Sequence, residues 1–168
     1  LAVPILLIPA VHYLYRTYGR AVGWPTALLG LGGLYGFALV AFTQFPLPAD
    51  SADACQRTNG GWQLQPFASF VESAETAAEV GLAAYLTSFS FLQEAMNVLL
   101  LVPLGVILGL RTKRPWWTAA LVGLAVSLLI ELTQGTGLWG TYDCPYRLAD
   151  IDDLVTNTAG AVAGWGIG

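Results

Sequence analysis

Apolar residues in this chain gather in long unbroken stretches rather than alternating or forming one-sided stripes, and that pattern predicts helices that cross a membrane. Residues 21–45 carry no charge and are almost wholly apolar. Residues 91–110, 116–134 and 151–168 repeat the pattern, each close to the roughly 20 residues that a helix needs to span a hydrocarbon core. Residues 1–15 are nearly all apolar but short for a crossing, and read as the end of a first helix. A signal peptide is excluded there because no cleavage site of small residues follows, only Arg16 and Arg20. The predicted fold is therefore an all-α integral membrane protein, a small bundle with about five visible transmembrane helices in one domain over 1–168.

The connections are short except for residues 46–90, which hold Pro46, Pro48, Pro66 and the Gly60-Gly61 pair. Within this loop residues 80–92 are apolar but too few to cross, so they read as an interfacial or re-entrant helix. Just before them Ser69 and Glu72 have the spacing of a capping box, and Glu72, Glu75 and Glu79 line one helical face suited to water. Phe70, Val71 and Ala74 fall on the opposite face.

Composition supports the same solvent. Charged residues are 11% of the 168 positions and hydrophobic ones 55%, with a mean hydropathy of +0.60, whereas a soluble domain carries about 25% charged residues. The net charge of −4 matters less than where each sign falls. Arg16 and Arg20 lie between the first two spans, and Arg111, Lys113 and Arg114 between the third and fourth, so five of the seven basic residues occupy two turns. The positive-inside rule makes both turns cytoplasmic. The loops 46–90 and 135–150 then lie outside together, with Asp50, Asp53, Asp143 and Asp150. Tyr13, Tyr15, Trp24, Trp116 and Trp117 flank the basic turns as an interfacial belt. Nothing in this distribution suits nucleic acid.

Two cysteines, Cys55 and Cys144, fall one in each outer loop, where an oxidising compartment would sustain a disulfide; two free thiols are the alternative. A metal site from the pair is disfavoured, because the single histidine, His12, is predicted inside the first span. Glycines recur at four-residue spacing in Gly32 and Gly36, in Gly105 and Gly109, and in Gly160, Gly164 and Gly168. That spacing strips a helix face so that helices approach closely. No strand precedes these glycines, so they do not form a nucleotide-phosphate loop.

Polar residues inside the spans carry the candidate chemistry, and all fall at the predicted outer ends. Glu94 and Asn97 open the third span; Ser127, Glu131 and Gln134 share a face of the fourth; Asp150, Asp152, Asp153 and Asn157 open the fifth. A carboxylate within a span is costly unless paired, protonated or wet, so Glu131 marks a functional site, with Arg147 its nearest candidate partner. Glu131 and Arg147 also read as a purely structural pair. Asp150, Asp152 and Asp153 either cap the fifth helix or, with Asn157, hold a divalent cation through oxygen ligands. Asn97 and Gln134 read as interhelical hydrogen-bond partners or as ligand contacts.

Three segments carry a resemblance. Asn97-Val-Leu-Leu-Leu-Val-Pro103-Leu-Gly105, then Ser127-Leu-Leu-Ile-Glu131-Leu-Thr-Gln134, then Arg147-Leu-Ala-Asp150-Ile-Asp152-Asp153-Leu-Val-Thr-Asn157 with Gly160 and Gly164 resemble the VanZ family of bacterial membrane proteins. Leu64-Gln-Pro66-Phe67 resembles the family's Asn-Leu-Ile-Pro-Phe segment, so the likeness runs over about 64–168. It implies a multi-pass protein of the bacterial cell membrane, in a group named for low-level resistance to teicoplanin, a lipoglycopeptide that acts on cell-wall precursors outside the membrane. It implies no particular reaction, and the Cys55 and Cys144 loops lie outside the shared pattern.

Two functions remain open. As a binding module, Asn97, Ser127, Glu131, Gln134, Arg147 and Asn157 would line an outward-facing site for a lipid-linked cell-wall precursor or the drug's lipid tail. As an enzyme, Glu131 with Asp150, Asp152 or Asp153 would act as acid and base, or hold a cation, to modify a lipid or precursor. Ser127 has no histidine to activate it, which weighs against the enzyme. Five visible spans without an internal repeat weigh against a transporter, though a homo-oligomer could restore that architecture.

Overall fold

The computed structural model describes residues 9, 12–19, 23–57, 61–111 and 114–168. It divides into two compact units, Leu1–Phe45 and Pro46–Gly168. In the first, residues 12–18 are helical and α1 runs over Trp24–Gln44. Pro25 sits in its first turn, where the missing N–H costs nothing. Phe45 is already extended, as the residue before Pro46 must be. Thr26–Gln44 is long and apolar enough to cross a membrane, and Leu34 and Phe37 stand exposed on it as they would against lipid. The expected first span lies largely outside the described residues.

The second unit contains α2 (Ser51–Arg57), β1 (Trp62–Gln63), α3 (Ala68–Val80), α4 (Leu82–Tyr85), α5 (Phe89–Arg111), α6 (Trp116–Gly135), the single turn α7 (Gly137–Gly140), β2 (Ala149–Asp150) and α8 (Ile151–Ile167). Phe89–Leu110 and Trp116–Gly135 are the other two candidate membrane spans. The fold is thus all-α, with three such helices among the described residues. The expected fifth span is α8, a helix of 17 residues.

Helix α8 is the centre of the unit, packed along both α5 and α6, which touch each other far less. Glycine makes the α5–α8 approach possible. A β-carbon at Gly160 would fall on the Val98 carbonyl oxygen, one at Gly164 on that of Val102, and, reciprocally, one at Gly105 on that of Ala161. The backbones are therefore in contact, as four-residue glycine spacing implies. Around Gly32 and Gly36, within their own unit, nothing lies within 4 Å of such a carbon.

The segments between the long helices are ordered by one another. The expected single helix over residues 80–92 is not formed. Gly81, at φ 88, ends α3; α4 makes one turn, and the Ser88 hydroxyl accepts the Phe91 N–H to start α5. A two-residue parallel bridge, which the sequence pattern did not announce, pairs Trp62 with Ala149 and Gln63 with Asp150. Cys55 and Cys144 form the expected disulfide, with their Cα atoms 5.0 Å apart and a sequence separation of 89. In the chain-entropy account such a link contributes on the order of 4 kcal/mol. Beside it the Tyr142 hydroxyl donates to the Pro48 carbonyl at 3.0 Å. On α2, Arg57 donates twice to Asp53 and holds that carboxyl below its usual range, the Ala49 N–H adding to the effect.

Candidate functional site

Four carboxylates converge where α6 ends and α8 begins, and three different local geometries bring them there. Glu131 lies one turn from the end of α6 and is 4% exposed. Its Oε2 accepts the backbone N–H of Asp150 at 2.9 Å, which joins α6 to the residue that starts α8. Asp150 is the N-cap of α8: its Oδ1 accepts the Asp152 N–H at 2.8 Å. The same carboxylate accepts the Ser69 hydroxyl at 2.8 Å and the Gln63 amide at 3.3 Å.

Asp152 faces the other way. It is 2% exposed, and its two oxygens accept the backbone N–H groups of Phe67, at 2.6 Å, and of Ser69, at 2.9 Å. These are donors at the start of α3, where a negative charge also meets the positive end of the helix dipole. The capping box expected from Ser69 and Glu72 is therefore absent. Phe67 is the N-cap, in the left-handed region at φ 67, and the capping carboxylate comes from a residue distant in sequence. Glu72, Glu75 and Glu79 are exposed as expected. The Leu64-Gln-Pro66-Phe67 segment and the Asp150-Ile-Asp152 segment are two halves of one hydrogen-bonded joint.

Asp153 turns towards α5, where the Asn97 side chain hydrogen-bonds its carboxylate. Arg147, half-buried in the loop before β2, is within electrostatic reach of both Glu131 and Asp153. Burial pushes the phenol of the neighbouring Tyr146 above its usual range, so it stays uncharged beside that guanidinium. Of the expected convergence of Glu131, Arg147 and the acids at the outer end of a cavity, the structure shows Glu131 and the acids gathered at the junction of α6 and α8 with Arg147 in electrostatic reach.

Below this layer Ser127, fully buried, donates to the Asp153 carbonyl at 3.3 Å and accepts the Asn157 amide at 2.9 Å. Asn157 Oδ1 has no hydrogen-bond partner among the described residues. Gln134 is buried at the end of α6. Thr156, not singled out from the sequence, donates back to the Asp152 carbonyl at 3.2 Å. A separate group, also unforeseen, forms around Glu94, whose carboxylate accepts the hydroxyls of Ser73 and Tyr85 and so ties α3 and α4 to α5. A Ser or Tyr facing an acid across such distances in sequence leaves no local signal.

The expectation of a cation held by Asp150, Asp152 and Asp153 finds no matching geometry. Among the described residues no group of three His, Cys, Asp or Glu side chains is disposed to hold a metal ion. The physical reason is the helix itself. Successive residues point about 100° apart, so the three carboxylates engage the β1–α3 region, the α3 N-terminus and α5 respectively. Glu131 and Asp153 form a second pair of carboxylates, with the Asn97 amide on Asp153 and the Arg147 guanidinium in electrostatic reach of both, and side chains of these kinds can accept hydrogen bonds from hydroxyl or amine groups and donate to an acidic one.

The family model described as VanZ/LLP1 matches residues 33–168, a stretch that contains every residue of this cluster. Neither a curated protein nor a solved structure matches the chain.

Proposed function

The chain belongs to the VanZ/LLP1 family of membrane proteins, and from that premise we propose that the Glu131 cluster is an outward-facing recognition site. Its ligand is a lipid-linked envelope molecule or a teicoplanin-type lipoglycopeptide, and binding it lowers susceptibility to the drug. The observation that carries this reading is the division of labour among the acids. Asp150 and Asp152 are consumed by the joint to α3, whereas Glu131 and Asp153 sit with Asn97 and Arg147, four side chains drawn from four separate segments. A carboxylate at the end of a membrane helix, beside a second carboxylate, is costly unless function retains it. Binding is favoured over catalysis because the Ser127 hydroxyl is already engaged at the Asp153 carbonyl and has no adjacent base to activate it.

Glu131→Gln tests the reading, because it keeps shape and hydrogen bonding while removing the charge. In a susceptible host the variant is expected to reach wild-type membrane levels and to melt with the wild type, yet to leave teicoplanin susceptibility at that of the empty vector. Undiminished protection by Glu131→Gln would sink the proposal. The outward direction rests on the basic turn between α5 and α6. A cysteine introduced at Thr112 is expected to react with a membrane-impermeant maleimide only after the cytoplasmic side is opened, and reaction in intact cells would reverse the topology.

A further inference from the structure

Away from the polar cluster, α6 and α8 leave between them an open groove of about 740 Å³ lined by Trp116, Ala120, Leu124, Leu154, Ala159 and Ala163, among others. At a rise of about 1.5 Å per residue the α8 wall from Ile151 to Ala163 is about 18 Å long, over half the thickness of a hydrocarbon core. Small side chains, Ala120, Ala159 and Ala163, leave room along it. Apart from the Thr158 hydroxyl and the Trp116 ring nitrogen its lining side chains offer no polar atom, so its wall is almost wholly apolar and suits hydrocarbon.

The two ends of the groove differ in charge, and that difference selects the occupant. At one end Ile151 follows Asp150 directly, in the layer that holds Asp152, Asp153 and Glu131 with Arg147. Acids crowd that end. At the other end Trp116 lies two residues from the exposed Arg114, in a turn whose sequence also contains Arg111 and Lys113. The end of α8 is tied to that turn, since the Trp165 ring N–H donates to the Arg114 carbonyl at 3.1 Å. Basic residues beside a hydrophobic crevice attract anionic lipid, and an indole at the same level suits the headgroup boundary.

We infer that the α6–α8 groove seats an acyl chain of an anionic phospholipid whose headgroup lies at the basic turn between α5 and α6. The site is distinct from the Glu131 cluster, and its occupancy does not depend on what that cluster binds. The lipid closes the open side of the α6–α8 pair within this unit.

The test uses the whole chain, purified in neutral detergent and titrated with phosphatidylglycerol or phosphatidylcholine while retained lipid is counted by native mass spectrometry. The wild type is expected to retain phosphatidylglycerol at least severalfold better than phosphatidylcholine. Ala159→Leu with Ala163→Leu fills the groove from exposed positions and is expected to abolish retention of both lipids. Arg114→Gln is expected to lower the preference by about fivefold, one cation's share of the attraction, and to leave phosphatidylcholine retention unchanged. Equal retention of the two lipids by the wild type, or undiminished phosphatidylglycerol retention with the groove filled, overturns the inference. So does a disulfide-linked dimer of Ala159→Cys that excess phosphatidylglycerol does not prevent, because the occupant would then be a second copy. Susceptibility to teicoplanin plays no part in these outcomes, so this inference and the proposed function fail separately.

Discussion

Replacing Gly160 by leucine is expected to prevent assembly of the α5–α8 pair, with a loss of at least about 3 kcal/mol. The contact there is backbone against backbone. A β-carbon at Gly160 falls on the Val98 carbonyl oxygen, and the neighbouring steps, Gly164 on Val102 and Gly105 on Ala161, repeat the same approach along both helices. Extra atoms in an ordinary core displace side chains at about 1–3 kcal/mol. Here no side chain can yield, so α5 must move as a body and the whole run of contacts is lost. Lipid gives no hydrophobic drive to recover them, since membrane helices associate through close packing and polar contacts. Gly166→Leu is the control on the same helix, because a β-carbon there meets nothing within 4 Å. Thermal unfolding in detergent reads the difference. Gly160→Leu should lose its transition at ordinary temperatures and Gly166→Leu should keep it, and equal behaviour would remove the packing role assigned to Gly160.

That α5 and α8 each carry a face for close approach was legible in the sequence because its cause is local and repeated, glycine every fourth residue, but not that the two faces meet each other, since Gly32 and Gly36 carry the same spacing and, within their own unit, meet nothing within 4 Å. The disulfide was expected from topology, since two basic turns read as lying on one side would leave Cys55 and Cys144 in loops on the other, with two free thiols as the alternative. The acids were harder to read. Asp150, Asp152 and Asp153 stand almost adjacent in the chain and so suggest a shared task, but Asp150 and Asp152 hold the start of α3 while the turn of the helix sends Asp153 to α5. The partners of Asp152 are backbone N–H groups at Phe67 and Ser69, and a backbone group carries no side-chain signature. Ser69 with Glu72 did carry one, that of a capping box, and it misled for the same reason: Asp152 already satisfies the Ser69 N–H that Glu72 would have capped, and the Ser69 hydroxyl donates to Asp150. Residues 80–92 were read by length and hydropathy alone, and Gly81 divided them by its backbone conformation. For Glu131 and Arg147, cost pointed the way, because a membrane carboxylate needs a reason to exist.

Asp152→Ala is expected to destabilise the protein by about 2–6 kcal/mol, and to do so without any role for a metal ion. The carboxylate is 2% exposed and each oxygen accepts one backbone N–H at the start of α3. Bonds to an ionised acceptor are about twice as strong as neutral ones, and a buried donor left unpaired costs roughly 1–3 kcal/mol, so two donors set the range. The same anchor holds Phe67 at φ 67, a conformation that costs a residue with a β-carbon about 1–2 kcal/mol. Once released, Phe67 relaxes and the first turn of α3 frays. Asp152→Asn retains one acceptor oxygen and is expected to lose about half as much. Hydrogen exchange locates the effect: in Asp152→Ala the amides of Phe67 and Ser69 should lose their protection while those in the middle of α6 keep theirs. Unchanged melting with both amides still protected would refute the joint. A chelator should leave the wild type where it was, whereas a cation bridging these acids would make chelation resemble the mutation. Set beside Glu131→Gln, which is expected to keep the fold and lose protection against the drug, the result separates two acids of one layer by what each faces: Asp152 faces backbone donors and holds α3 to α8, and Glu131 stands with Asp153 and Arg147.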